Sequence, residues 1–463
     1  MKISVLQHDP SVFAPSQVGV PNPVSRNLSS HMHPFAKARE RSRALVASKL
    51  ERMFAKPFMA SLEGHSDTVN AIARKPDSLA AIASAGADGE IILHDLPQRR
   101  HLMRLPHAHE RSITGICFAG PDRLLSCGAD QLVKLWDLKV TTDGDDALVL
   151  DEETGEGINI AQKKPLSLYH GKAAFNAIDH HRASPLFATG SNVVQVWDEN
   201  KTSAISNITF ASSNETVISL KFNLTEQSVL ATTGTDRTFT LYDIRTGKAE
   251  RRLVFELRAN ALSWSPMMPT VVLLASEDHT LSTFDIRKLS TATQVYKGHV
   301  APVMSCDWSP TGTEFVSGGW DRTVRVWTEG KGSGSEPYFT KRMQRVFSTI
   351  FSGDARYVLS GSDEGNIRLW KAHPSEKLGI LTGKEQSTRD YRTQLREKWK
   401  YDPDVSRIER KRFLPRAIHQ TRKLHTTMTR ARQTKEDNRR IHSRLGETKP
   451  KPEKSKVIIA EQS

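Results

Sequence analysis

The chain has 463 residues, of which 37% are hydrophobic and 25% charged, a balance that buries a sizeable core and excludes a disordered or fibrous protein. No run approaches the roughly 18 apolar residues of a membrane span, and the first residues lack the apolar stretch of a secretory leader, so a soluble intracellular protein is expected. The net charge of +14 is unevenly spread, with +6 in residues 1–60, −4 in 61–372 and +12 in 373–463, which places polyanion contact in the ends.

Residues 1–57 form a basic N-terminal arm. Its His31-Met32-His33 cluster, like His180-His181 further on, has no cysteine or carboxylate at metal spacing and reads as surface histidine. Within 35–54, Leu45, Val46, Leu50, Met53 and Phe54 share one helical stripe while Arg and Lys fall elsewhere. That pattern predicts an amphipathic helix, with two roles open to it: docking on the side of the following domain, or binding a partner.

Residues 58–372 repeat. A strand ending recurs as Leu93-His94-Asp95, Leu135-Trp136-Asp137, Val196-Trp197-Asp198, Leu241-Tyr242-Asp243, Thr283-Phe284-Asp285, Val326-Trp327-Thr328 and Leu369-Trp370-Lys371. The aromatic or His positions lie 42, 61, 45, 42, 43 and 43 residues apart, which resembles the period of WD repeats, one four-stranded blade each. The expected fold is an all-β, seven-bladed WD-repeat β-propeller with helical, basic N- and C-terminal extensions. Two blades carry the spaced set of the fold in full: His109, Ser126, Asp130 and Trp136, then His299, Ser317, Asp321 and Trp327. In WD-repeat proteins such residues form a buried chain of hydrogen bonds, the condition on which polar groups survive in a core. His94, Tyr242 and Phe284 stand where Trp is usual, and Glu364 where Asp is usual.

Ser, His and Asp in one motif invite comparison with a hydrolase triad. The set recurs blade after blade without a Gly-x-Ser-x-Gly elbow, whereas a hydrolase needs one triad. There is no Gly-rich phosphate loop ending in Lys-Ser/Thr. No catalytic, cofactor or metal site is expected, nor a small-molecule substrate. Cys117, Cys127 and Cys306 are too few for a disulfide framework and read as buried thiols of a reducing compartment.

The segment 57–62 precedes Gly64-His65 where an outer strand belongs, and the last blade lacks one after Trp370. The N-terminal strand is therefore expected to complete blade seven and remove two sheet edges. An insertion at about 140–162 carries seven acids and no Lys or Arg before residue 158 and is expected to be a mobile acidic loop. Residues 330–335, Gly-Lys-Gly-Ser-Gly-Ser, read as a flexible loop between blades.

Residues 373–463 change composition. Between 410 and 435 stand Arg410, Lys411, Arg412, Arg416, Arg422, Lys423, Arg430, Arg432 and Lys435, with no Asp or Glu. Few glycines and only Pro403 and Pro415 interrupt 386–446, so broken helices are expected. Apolar residues are sparse, and such segments order best on a partner. The unrelieved charge points to RNA phosphate.

The flanks carry a resemblance. His33-Pro34-Phe35, the stretch from Lys49-Leu50-Glu51-Arg52-Met53-Phe54 to Pro57-Phe58, and the tail from Tyr391 through Trp399-Lys400-Tyr401-Asp402-Pro403 to Phe413-Leu414-Pro415 are similar to SOF-like WD-repeat proteins. The resemblance spans nearly the whole chain. It implies a scaffold subunit of the U-three snoRNP and small-subunit processome of the nucleolus, supporting processing of small-subunit ribosomal RNA precursor. Its implied partners are pre-ribosomal RNA, the U-three snoRNA particle and other processome proteins, with no membrane. The insertion and the Lys-Pro-rich 449–456 do not map onto the family pattern. A competing reading comes from Tyr242-Asp243-Ile244-Arg245 and Phe284-Asp285-Ile286-Arg287. These match the Asp-x-Arg boxes of substrate receptors in cullin-four ubiquitin ligases, where the arginines, here Arg245 and Arg287, touch the ligase adaptor. The same boxes also read as strand caps with a local ion pair worth under about 1 kcal/mol.

Overall fold

The computed structural model describes residues 35–139, 146–150, 157–161, 163–208, 216–332, 336–444, 447, 449 and 452–462. His31-Met32-His33, Pro34, parts of the insertion and of the 330–335 loop lie outside the described residues. The described chain forms two bodies, one of Met1–Pro57 with His373–Arg412 and one of Phe58–Ala372 with Phe413–Ser463.

The larger body is a ring of seven sheets. Their inner strands are Val69–Arg74, Ile113–Phe118, Ala177–His180, Val217–Phe222, Ala259–Trp264, Val303–Trp308 and Val346–Phe351. Each neighbours the next, and the seventh neighbours the first. Apolar side chains along the strands of each blade are buried between consecutive sheets. Ile91 and Leu93 of the first blade pack with Ile113, Leu124 and Trp136 of the second, each side chain contributing about 1.5–3 kcal/mol on full burial. Side-chain amides stitch blade to blade. Asn70, Asn176 and Asn260 donate through Nδ2 to the carbonyls of Ile113, Val217 and Val303 at 2.9, 3.0 and 2.9 Å.

The ring closes as the sequence predicts. Phe58–Leu62 pairs antiparallel with Ile367–Lys371 in the register Ala60↔Leu369, Ser61↔Arg368 and Leu62↔Ile367, and Phe58 stands edge-on to Trp370 at 5.6 Å. Two edges vanish at one seam.

Two additions to the sheets depart from expectation. The insertion is not simply a loop: Asp146–Leu150 and Gly157–Ala161 form a hairpin, and the second strand pairs in parallel with Arg100–Leu105 of the first blade. Ala-Leu-Val-Leu at 147–150 and the alternating Ile158 and Ile160 supply strand-forming runs that outweigh the surrounding acids. At the far end of the chain, Ile458–Gln462 pairs antiparallel with Lys248–Phe255, matching Arg252↔Gln462 and Val254↔Ala460. It becomes a fifth strand of blade four, with Val457 and Ile458 packed against the cluster that holds Leu253, Phe255 and Phe284.

The smaller body contains three helices: α1 (Ala36–Met53), α2 (Gly383–Lys398) and α3 (Pro403–Arg410). Thr382 and Glu385 form a capping box at the start of α2, and Asp402 caps α3 with Pro403 at its first position. The buried face of α1 is Ala44, Ala47 and Ser48 rather than the expected stripe, from which Val46, Met53 and Phe54 are more than half exposed. Small residues face inward because α2 and α3 approach closely, with Ala44 meeting Leu395 and Val405. Charges finish the contact. Arg41 pairs with Asp402 at 2.5 Å and Asp404 at 2.7 Å, and Arg396 spans Glu51 and Glu409 at 3.1 and 3.2 Å. The Arg41 hydrogen bond holds the Asp402 carboxyl below the usual carboxylate range.

Candidate nucleic-acid interface

The ring spends its polar groups on itself. Trp327 Nε1 donates to Ser317 Oγ at 2.8 Å, which lies 2.7 Å from His299 Nε2, and His299 Nδ1 lies 2.9 Å from Asp321. The second blade repeats this through Trp136, Ser126, His109 and Asp130 at 2.9, 2.7 and 2.8 Å. Blade one has a third chain, in which His94 takes the place of Trp: its Nε2 is 2.8 Å from Ser84 Oγ, itself 2.8 Å from His65, and His65 reaches Asp88 at 3.0 Å. Burial holds His94 and His299 below the ordinary histidine value. For His94 the physical reason extends further, since its Nδ1 is buried with no partner among the described residues and protonation would add an unsatisfied donor there. The carboxyl of Asp321, which burial alone would push up, is held at about 2 by His299 and Arg325. These residues hold strands and turns together and face each other rather than solvent. The three cysteines are buried, and burial pushes the Cys127 thiol up to about 12.

A cavity of about 280 Å³ lies among the inner strands, lined by Arg74, Asp179, Lys221 and Asp307 among others. Two ion pairs line it, Lys221 on Asp179 at 2.7 Å and Arg74 near Asp307 at 3.5 Å. Among the described residues no group of three His, Cys, Asp or Glu is placed to hold a metal ion.

The expected charge run lies elsewhere. Arg410 ends α3, Lys411 and Arg412 sit in the extended link, and Pro415 precedes the helix α4 (Arg416–Ile441). The two prolines thus stand at the two breaks, as their lack of an N–H and the restriction on the preceding residue require. The helix α4 has 26 residues and runs about 39 Å. Only Ile418 is buried. Thr421, Thr426, Thr427, Thr429 and Thr434 turn their hydroxyls back to carbonyls one turn earlier, at 2.8–3.0 Å, which satisfies them without adding tertiary contact.

Ile418, Arg422 and His425 follow the i, i+4, i+7 spacing of one face, and this face meets the ring. His425 stands edge-on to His279 at 6.3 Å. Arg422 lies close enough to add to the depression of the Arg325 guanidinium that burial begins. The Arg325 guanidinium has its own partner in Asp321 at 3.9 Å, while Arg325 Nε and His279 Nδ1 are buried there without hydrogen-bond partners among the described residues. Arg416, Lys423 and Arg430 recur at seven-residue steps on the opposite side, drifting about 20° per step. Among the described residues no carboxylate pairs with Arg416, Arg422, Lys423, Arg430, Arg432 or Lys435, whereas Lys456 reaches Glu436 and Arg440 reaches Asp437 just beyond the run. The arrangement is an extended cationic rod with an exposed outer face and a poorly satisfied inner one. It can line up with phosphates.

The Asp-x-Arg boxes are turns of the ring. Asp243 accepts the Arg245 N–H at 2.9 Å and Asp285 the Arg287 N–H at 3.0 Å. Asp137 and Asp198 cap the corresponding turns of other blades at 3.0 and 3.1 Å, so the aspartates serve the fold. The arginine side chains do not: Arg245 stands 4.0 Å from Asp243 with its side chain 82% exposed, and Arg287 is exposed on the next blade.

A model of the Sof1-like domain matches residues 372–458, and the WD domain, G-beta repeat matches 56–95, 100–137, 290–328 and 340–371. The unmatched stretch 138–289 holds the insertion and the blades ending at Trp197, Tyr242 and Phe284. The chain is 38% identical to "DDB1- and CUL4-associated factor 13" of Danio rerio and of Homo sapiens, each over 99% of both chains. It is 36% identical to "Protein SOF1" of Saccharomyces cerevisiae over 92% of this chain and 88% of that one. Its ring is similar to the WD40 β-propeller domain of Doa1, with a TM-score of 0.55 and 18% identity, covering 68% of this chain and 96% of that one.

Proposed function

Since the chain belongs to the Sof1-like family of WD-repeat proteins, we propose that it is a scaffold subunit of the small-subunit processome, supporting processing of small-subunit ribosomal RNA precursor in the nucleolus. Its work is binding rather than catalysis. The propeller presents protein-binding faces to other processome proteins. The tail, through Arg410, Lys411, Arg412 and the cations of α4, contacts pre-ribosomal RNA or the U-three snoRNA. The single observation that carries the RNA role is the unpaired cationic face of α4, whose field adds along about 39 Å. Crosslinking followed by sequencing of bound RNA tests it. The expected result is crosslinks within 410–435 to small-subunit precursor or U-three snoRNA, together with accumulation of unprocessed precursor on depletion. Crosslinks confined to unrelated RNA, with normal processing, would refute it.

A second reading is favoured by one geometry: Arg245 and Arg287 stand exposed at matching turns of adjacent blades, and relatives bear the name of a DDB1- and CUL4-associated factor. In this reading the two arginines touch the ligase adaptor. Arg245→Ala with Arg287→Ala should then abolish adaptor binding and leave precursor processing intact. Retained adaptor binding in that double variant would remove the boxes from the account.

A further inference from the structure

Six blades share one backbone turn between their second and third strands. In each, the residue before the turn's carboxylate donates its N–H to the preceding inter-blade loop. Ala87, Ala129, Thr235, Glu277, Trp320 and Asp363 do so at 2.8–3.0 Å. The side chain at this position is not buried in any of them, so the fold leaves its identity open. Five blades use small or polar residues there. Blade six uses Trp320, the largest apolar side chain available, 41% exposed, at a place where no core requires it.

The surroundings are cationic. The Arg345 guanidinium carbon lies 4.4 Å from the Trp320 ring centroid. Arg322 shares the turn, held in the left-handed region at φ 60°, and Lys341 and Arg342 share the loop of Arg345; all four cations are exposed. Among the described residues no ion pair to these cations is found. The Asp321 carboxylate is occupied by His299 and Thr323 at 2.9 and 2.7 Å, leaving exposed Asp363 of the next turn as the local acid. Arg325, which lies within electrostatic reach of Arg422 of α4, belongs to this same blade.

We propose that Trp320 is a base-stacking platform for single-stranded RNA, whose phosphates meet Arg322, Lys341, Arg342 and the adjacent α4. The proposal rests on the RNA reading of α4 and supplies what that helix lacks, since the charge run has only Phe413 as an aromatic. A π face among cations suits unpaired bases on a phosphate backbone; an acidic peptide would use the cations and leave the indole idle.

The test uses the full chain and fluorescence anisotropy with a labelled oligouridine and an RNA duplex of equal length. Trp320→Ala should weaken oligouridine binding about tenfold without changing duplex binding or the salt slope, and Trp320→Phe should restore most of it. Lys423→Glu with Arg430→Glu should weaken both ligands and flatten the salt slope. Wild-type oligouridine affinity in Trp320→Ala, with a weakened helix variant, would overturn the stacking platform and leave the helix reading standing. Wild-type affinity in both variants would overturn both readings. Trp320-dependent binding of a poly-glutamate peptide in competition with RNA would assign the patch to a protein partner and overturn the proposal.

Discussion

The propeller and α4 occupy one body yet are held by opposite means. In the propeller, Trp327, Ser317, His299 and Asp321 satisfy one another in a buried interior, and each blade covers the next. In α4, one side chain of 26 is buried, and its inner face sets Arg422 near Arg325 and His425 near His279. The contrast teaches that order in this protein has two sources: the propeller closes its own interactions, whereas the helix buries one side chain and keeps its cations from Arg416 to Lys435 exposed.

The comparison breaks most violently at the seam. Removing residues 1–62 strips Phe58–Leu62 from Ile367–Lys371 and exposes a sheet edge beside Trp370. Size-exclusion and calorimetry should find aggregation or loss of the cooperative transition; a monomer with unchanged melting temperature would show that closure is dispensable. Next in size, Ser317→Ala orphans both His299 Nε2 and Trp327 Nε1 in a buried core and should cost about 2–4 kcal/mol, read as a lowered denaturant midpoint.

Acid should sharpen the contrast. His94 and His299 sit below the ordinary value of 6.5 because burial disfavours their charged forms. The unfolded chain therefore takes up protons that the folded propeller refuses, so stability is full above about pH 6.5 and falls as pH drops below it. Asp321, held at about 2 against 3.8, adds a second loss between those values. Thermal melts across this range should show the first decline beginning near pH 6.5, and a flat profile down to pH 4 would contradict it. Smaller still, deleting residues 452–463 uncovers the edge of blade four and the packing of Val457 and Ile458. This should cost about 1 kcal/mol, and an unchanged unfolding midpoint would mean that the strand adds nothing to blade four. At the bottom of the scale, Arg430→Ala should change stability by less than about 0.5 kcal/mol; a larger change would mean that α4 carries structural weight.

What could be read from sequence follows from what repeats. The seven strand ends and the two His–Ser–Asp–Trp sets were legible because the same contact recurs at one spacing, and the seam followed from counting strands. The chain through His94 was harder, because a His at the Trp position looks like decay until Ser84 and His65 are seen within hydrogen-bond reach. The strand Ile458–Gln462 offered only Val-Ile-Ile-Ala after Lys456, and its partner lies about two hundred residues earlier. The insertion misled because seven acids overshadowed two short apolar runs. In α1, burial of Ala44 and Ala47 rather than Val46 and Met53 was set by how closely α2 and α3 approach, which a hydropathy pattern does not encode. The charge run at 410–435 was plain in composition, but its division into a docked face through Arg422 and an outer face through Arg416, Lys423 and Arg430 required the helix itself.

The central claim is that α4 contacts RNA through its outer cations while the propeller folds without their help. Its most direct test is the variant Arg416→Glu, Lys423→Glu and Arg430→Glu, with sedimentation alongside ribosomal RNA precursor and circular dichroism on the same preparation. The account predicts an unchanged strand signal and melting temperature, absence from pre-ribosomal fractions, and accumulated small-subunit precursor. A folded variant that still co-sediments and still supports normal processing would contradict it.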